Sequence, residues 1–226
     1  CLVSLNGVLQ APISSYTISG STIIFAAALT TDDVIDFITV MGDVLNLGQP
    51  SDGTVVPASL GTTAVTALTA GTGITSGTNT VYRSDVQKLG NIYHTRILID
   101  LTGLASSGSG DIIGKAGTAS SHIGQITAAV NGTVLGGKIT CFEAPAGGDP
   151  DINLWYADEA TGAEDAAITS LTNQIQMCDS GDFAIGTVVG IPTPPAADKY
   201  LYMVTGAATN ADYTAGKLLI ELFGYV

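Results

Sequence analysis

Short apolar runs, each closed by a cluster of turn-forming residues, recur along the whole of this chain and leave little room for long helices. Asn6-Gly7, Ser19-Gly20-Ser21, Asp32-Asp33, Asn131-Gly132, Gly147-Gly148-Asp149-Pro150 and Asp179-Ser180-Gly181 punctuate it, as do the Ser/Gly stretch 107–110 and the Pro-rich stretch 192–195. Glycine and asparagine accept the positive φ angles of tight turns, and Asn-Gly is the strongest two-residue hairpin signal. Strands broken at this spacing fit an all-β sandwich. Composition agrees: 46% of the 226 residues are apolar and only 12% charged, against about 25% charged in ordinary domains. Disorder needs the opposite balance. The best helix candidate is residues 161–176, with Glu164 and Asp165 in an acidic first turn. Thr172 and Asn173 weaken it, so a short helix or a turn fits equally well.

Three segments follow. Residues 1–45 read as a small β-meander: Leu2-Val3-Ser4-Leu5 against Val8-Leu9-Gln10, then Tyr16-Thr17-Ile18 against residues 22–25, then a strand over 34–40. Residues 46–80 hold Gln49-Pro50-Ser51-Asp52-Gly53 and a Thr/Ala/Gly tract without helical period, and read as a connecting arm laid against a partner chain. Residues 81–226 read as a larger, jelly-roll-like β-sandwich, with strands expected over 96–101, 123–130, 137–142, 152–156, 186–191, 200–206 and 217–225.

Charge and cysteine content narrow the function. Twenty acids against seven bases give a net charge of −13. Residues 1–82 contain no Lys or Arg, so no cationic cluster is present to release counterions from a phosphate backbone, and nucleic acid is not an expected partner. The longest apolar run, residues 23–29, falls far short of the roughly 20 residues that span a bilayer. No signal peptide is read at Cys1, where the chain opens inside a strand, and residues ahead of it are left open. Cys1, Cys141 and Cys178 are too few and too scattered for a disulfide framework or zinc cluster. Cys141 and Cys178 read first as buried thiols, with a bridge between them as the alternative.

Several constellations bear on chemistry. His94 and His122 each sit beside a hydroxyl residue (Thr95, Ser121), but no G-x-S-x-G elbow accompanies them. Cys178-Asp179-Ser180-Gly181-Asp182 reads as a turn rather than a protease serine loop. Asp158-Glu159 and Glu164-Asp165 are the densest carboxylate pairs, with Trp155 and Tyr156 just before them. A solvated acidic loop after a buried Trp is the plainer reading, and a ligand surface of Trp155, Tyr156, Asp158 and Glu159 the sharper one. Asp149, Asp151 and Asn153 have the alternating oxygen spacing of a Ca²⁺ loop, yet Leu154 stands where the loop needs Gly and Ala160 where it needs Glu. Asn131-Gly132-Thr133 matches a glycosylation acceptor but reads first as a hairpin turn. No catalytic residue and no cofactor is expected.

Val3-Ser4-Leu5-Asn6-Gly7-Val8-Leu9-Gln10, with Tyr16-Thr17-Ile18-Ser19-Gly20, Ile23-Ile24-Phe25 and Asp33-Val34-Ile35, resembles a bead-like β-module of tailed-bacteriophage fibre and appendage proteins. Residues 81–226, with Ile97-Leu98-Ile99-Asp100-Leu101-Thr102-Gly103-Leu104 and Leu222-Phe223-Gly224-Tyr225, resemble virion structural proteins of marine phages. The resemblance implies a non-enzymatic fibre, spike or capsid-decoration subunit in a virion, often trimeric, whose partners are itself and other virion proteins. A receptor- or carbohydrate-binding tip facing a host-surface glycan, or a bacterial surface-layer or appendage subunit, is the alternative.

Overall fold

The structure, a computed structural model, describes residues 1–40 and 66–226. The chain divides into two compact units, Cys1–Val55 and Val56–Val226. Residues 46–65 of the expected arm, and the last five residues of the expected N-terminal module, lie outside the described residues.

In the first unit Asn6 and Gly7 take φ angles of 52° and 76°, the two positive values of a type I′ turn. They join β1 (Leu2–Leu5) to β2 (Val8–Leu9). A second hairpin pairs β3 (Tyr16–Ser19) with β4 (Thr22–Phe25). The expected meander is corrected at β5 (Ile35–Thr39), which pairs with β1 rather than β4, giving a sheet of order β2-β1-β5 beside a separate hairpin. Polar contacts from the turns select that partner. Asn6 exchanges hydrogen bonds with the Val34 backbone, and Asp36 accepts from Gly7 N–H at 2.7 Å and Ser4 Oγ at 2.9 Å. Among the described residues of this unit the buried large apolar side chains are Val3 and Tyr16, whereas eleven others are exposed.

The second unit opens earlier than expected. Residues 66–80, read from their composition as arm, belong to it: Thr66 bridges Val86, and Leu68 and Ile74 lie in its core. A helical turn, α1 (Thr72–Thr75), follows. The hairpin of β6 (Val81–Leu89) and β7 (Ile92–Asp100) comes next, then the short β8 (Ala105–Ser106) and β9 (Gly124–Ile126). After the turn α2 (Ala128–Asn131) the chain runs through β10 (Thr133–Ala146), β11 (Ile152–Ala157), β12 (Ile175–Cys178) and β13 (Val188–Ile191). It closes with β14 (Lys199–Thr205), the short β15 (Ala211–Asp212) and β16 (Ala215–Tyr225).

Two antiparallel sheets result, of order β13-β10-β16-β7-β6 and β12-β11-β14-β9. Their facing side chains form one core, with Ile97, Ile139 and Ile220 from the first sheet and Leu154, Leu201 and Met203 from the second. The unit is an all-β sandwich. Strict in–out alternation in β7 and β16 shows that the five-stranded sheet buries one face. β11 and β14 are buried on both faces, because Ile112 and Ile168 from the loops form a second cluster with Ala157, Tyr202 and Val204.

Two further expectations change. The strand expected over 123–130 is cut to β9 because Thr127 caps α2, accepting from Val130 N–H at 3.3 Å. Asn131-Gly132 is therefore the end of a helical turn, not a hairpin: Gly132 takes φ 65° after it, and Asn131 is 0% exposed. In the stretch 161–176 the only helical element is a 3₁₀ turn at Ile168–Ser170. Cys141 and Cys178 are buried free thiols.

Candidate functional site

β11 and the loops on either side of it carry most of the residues singled out by spacing, and the fold gives most of them a local partner. Asp149 is fully buried, accepting from Asp151 N–H at 3.1 Å through Oδ1 and from Ala207 N–H at 2.8 Å through Oδ2. The Tyr213 hydroxyl donates to the Asp149 carbonyl at 2.7 Å, and burial holds that phenol far above its usual range. Asn153 Oδ1 accepts from Ser180 N–H at 2.8 Å. Two members of the Ca²⁺-like spacing, Asp149 and Asn153, thus spend side-chain oxygens on backbone amides that tie loops to the sheet. Among the described residues no group of three His, Cys, Asp or Glu side chains is placed to hold a metal ion.

Asp151 is the strained member. Its Oδ1 is buried without a hydrogen-bond partner. Burial first, and then the neighbouring charges of Asp149, Asp179 and Asp182, push its carboxyl above the usual range. A Cβ at position 206 would meet the Asp151 carboxyl at about 2.1 Å, so a larger residue than Gly206 would have to displace that side chain.

The four residues of the alternative ligand surface divide between two faces of the sheet and the loop after it. Alternation along β11 sends neighbouring side chains to opposite faces, so Tyr156, 7% exposed, enters the main core while Trp155 packs against the second cluster. The Trp155 indole N–H is buried without a partner. Asp158 pairs with Lys199 and accepts from Asn173 Nδ2 at 2.6 Å, and the Lys199 contact holds its carboxyl below the usual range. Glu159 accepts from Thr172 N–H at 2.8 Å, which lowers it likewise. Tyr202 donates to the Glu159 carbonyl at 2.5 Å, and burial takes its phenol up to about 12. The acids close the loop 158–172 onto the sheet.

A cleft of about 400 Å³ lies instead beside the β9 edge of the four-stranded sheet. Its walls include Leu68, His122, Gln125, Thr127, Val130 and Tyr200. The His122 ring meets Tyr200 edge-on, with centroids 5.1 Å apart and planes at 69°, and lies 6.4 Å from Tyr202. Burial lowers the His122 pKa, and its Nδ1 is buried without a partner. The other histidine, His94, stacks on Phe223 and meets Glu221 Oε1 at 3.0 Å. No family model, curated protein or solved structure matches the chain.

Sequence reading missed Gln125 and Tyr200. Their visible signal was alternation: Tyr200 and Tyr202 fall on one face of β14, and Gln125 is paired with Tyr200 across the sheet.

Proposed function

We propose that this chain is a structural subunit that acts by assembling with copies of itself in the virion of a tailed bacteriophage, as a fibre, spike or capsid-decoration protein. The carrying observation is the N-terminal unit, where among the described residues two large apolar side chains are buried and eleven are exposed. A small three-stranded sheet and a hairpin with so little core are marginal alone and need a covering surface. Ile13 adds to this. A β-branched residue at φ 73° is strained by about 1–3 kcal/mol, and it presents a side chain that is 87% exposed.

Strand order in the second unit supports the jelly-roll reading. The nine strands of the two large sheets, in chain order, pair β7 with β16, β9 with β14, β10 with β13 and β11 with β12. Second pairs with ninth, third with eighth, fourth with seventh and fifth with sixth. This is the nesting of one long hairpin rolled across two sheets. Jelly rolls build viral capsid domains among other proteins, and that fold-level analogy joins the residue resemblance in pointing to a virion.

Multi-angle light scattering on the whole chain tests assembly. The expected result is a stable oligomer, a trimer by the family resemblance, that Phe37→Asp on exposed β5 dissociates. A monomer at tens of micromolar would sink the proposal. Mass spectrometry of purified phage particles tests the location, and absence of the chain from particles whose genome encodes it would overturn the virion assignment.

A further inference from the structure

The five-stranded sheet of the second unit buries one face in the sandwich core, and alternation along β7 and β16 turns every second side chain to the other. Across these two strands the outward residues match. Lys217 opposes Asp100, Leu219 opposes Leu98, Glu221 opposes Arg96 and Phe223 opposes His94. The charged row continues on both flanking strands, with Lys138 of β10 beside Glu221 and Asp85 of β6 beside Arg96. From β10 to β6 it reads plus, minus, plus, minus. Lys138 meets Glu221 at 3.1 Å, Lys217 meets Asp100 at 3.4 Å, and Arg96 pairs with Asp85. These pairs stabilise the sheet within one chain. Their order also makes the face its own complement.

A two-fold axis parallel to the strands, above the face and between β7 and β16, lays β16 of one copy over β7 of the other and β10 over β6. Each row then meets itself reversed. Glu221 faces Arg96 of the second copy, Lys138 faces its Asp85, Lys217 its Asp100 and Leu219 its Leu98. This is the self-complementary contact of a two-fold dimer, made by sheets stacked face to face. The overall charge favours the same surface. Four of the seven bases, Arg83, Arg96, Lys138 and Lys217, share this face with four acids, Asp85, Asp100, Glu143 and Glu221. The face is therefore neutral in a chain of net charge −13. Two copies repel each other across strongly acidic surfaces, whereas here they approach without that cost.

We propose that the outward face of β10, β16, β7 and β6 docks a second copy of this chain about that axis. The proposal goes beyond assembly through the first unit, because it names a separate surface on the other unit. Strand spacing and rise give a patch of about 30 Å by about 20 Å, roughly 600 Å² per copy. That lies toward the lower end of stable interfaces. Phe142 and Phe223, 52% and 41% exposed, add apolar area. The Arg96 and Lys138 side chains keep 36% and 44% of their exposure, so salt screens the charged rows. This contact is the weaker of the two and forms where assembled chains are concentrated.

The test uses the whole chain carrying Phe37→Asp, which separates this contact from the one through the first unit. Sedimentation equilibrium from micromolar to millimolar protein is expected to show a monomer–dimer equilibrium that weakens as salt is added. Glu221→Lys and Arg96→Glu each set like charges against one another across the axis and weaken the dimer at least about tenfold. Mixing the two variants restores a dimer with one chain of each. The two substituted side chains then face each other with opposite charge, and the native Arg96 and Glu221 meet as before. Loss of an ion pair within one chain is not repaired by mixing, so the rescue separates docking from folding. Leu219→Ser leaves every charge in place and weakens the dimer too, and it carries the test if a charge variant melts below the parent. A monomer at every concentration, whether the face is bare or covered by the chain's own residues, overturns the proposal. So does an affinity unchanged in the variants, or absence of rescue on mixing. That failure beside a Phe37-dependent oligomer of the parent chain leaves the assembly proposal standing. A parent chain that is monomeric at tens of micromolar and dimerises through Glu221 and Arg96 at higher concentration does the reverse.

Discussion

Asp151 shows how a single residue in this fold is set against its surroundings. A carboxyl whose pKa is raised in the folded state costs stability wherever it must ionise, above the folded value. That cost is relieved as the pH falls through the folded value toward the ordinary 3.8 of the unfolded chain. Asp151→Asn keeps the shape and removes the repulsion from Asp149, Asp179 and Asp182. The variant is expected to melt about 2–4 °C higher at pH 7, the shift that about 1 kcal/mol gives in a domain of this size. The gain should shrink in acid, where the parent carboxyl is protonated. Calorimetric scans of both proteins at pH 7 and pH 4 measure it, and equal melting temperatures at pH 7 would contradict the account. By contrast, both Asp149 oxygens accept backbone amides, so Asp149→Asn would set its amide group against one of those N–H donors.

At the scale of elements, the turn α2 decides how β9 gives way to β10. Asn131 does this from inside: its Nδ2 donates to Thr95 Oγ1 at 2.9 Å on β7, and its Oδ1 accepts from Thr127 N–H at 3.0 Å. Gly132 then reverses the chain at φ 65°, where a Cβ would meet the Tyr225 carbonyl and the Tyr93 ring. Asn131→Ala leaves the buried Thr95 hydroxyl without its donor. A loss of about 1–3 kcal/mol is expected, read as a lower denaturant midpoint with an unchanged slope. An unchanged midpoint would show that the turn is held by its backbone alone. The sheet edges also explain which strands composition failed to reveal. β6 and β12 both lie at edges, and their mixed burial leaves weak alternation to read.

For the whole molecule, the contrast between the two units is the main physical fact. The second unit has a continuous core between two sheets and a further cluster on the outer face of one of them. Among its described residues, the first unit exposes most of its large apolar side chains. If those side chains serve an interface, the strain at Ile13 belongs to assembly rather than to folding. Ile13→Gly removes the strain and the side chain together. It is expected to raise the melting temperature of the dissociated protein while weakening the oligomer, seen as a dissociation midpoint at higher protein concentration in sedimentation equilibrium. An oligomer of unchanged affinity would place the interface elsewhere.

The sequence by itself determined the class of fold and most of the strands, because turn residues and β-branched runs act locally. Asn6-Gly7 takes the φ angles its residue types demand, and β7 and β16 carry in their alternation the face they bury. Only the tertiary structure decided partners. Whether β5 joins β1 or β4 turned on Asn6 and Gly7 of the first turn meeting Val34 and Asp36, far along the chain. Whether residues 66–80 were arm or domain turned on Leu68 and Ile74 finding a core. The candidate site shows the same division. Trp155 and Tyr156 are adjacent in sequence, and the pleat of β11 separates them into two apolar clusters. Tyr200, His122 and Gln125 are scattered in sequence, and the pairing of β9 with β14 brings them to one cleft. Local conformational preference is written within a few residues, whereas the contacts that make a site are set by which strands lie side by side.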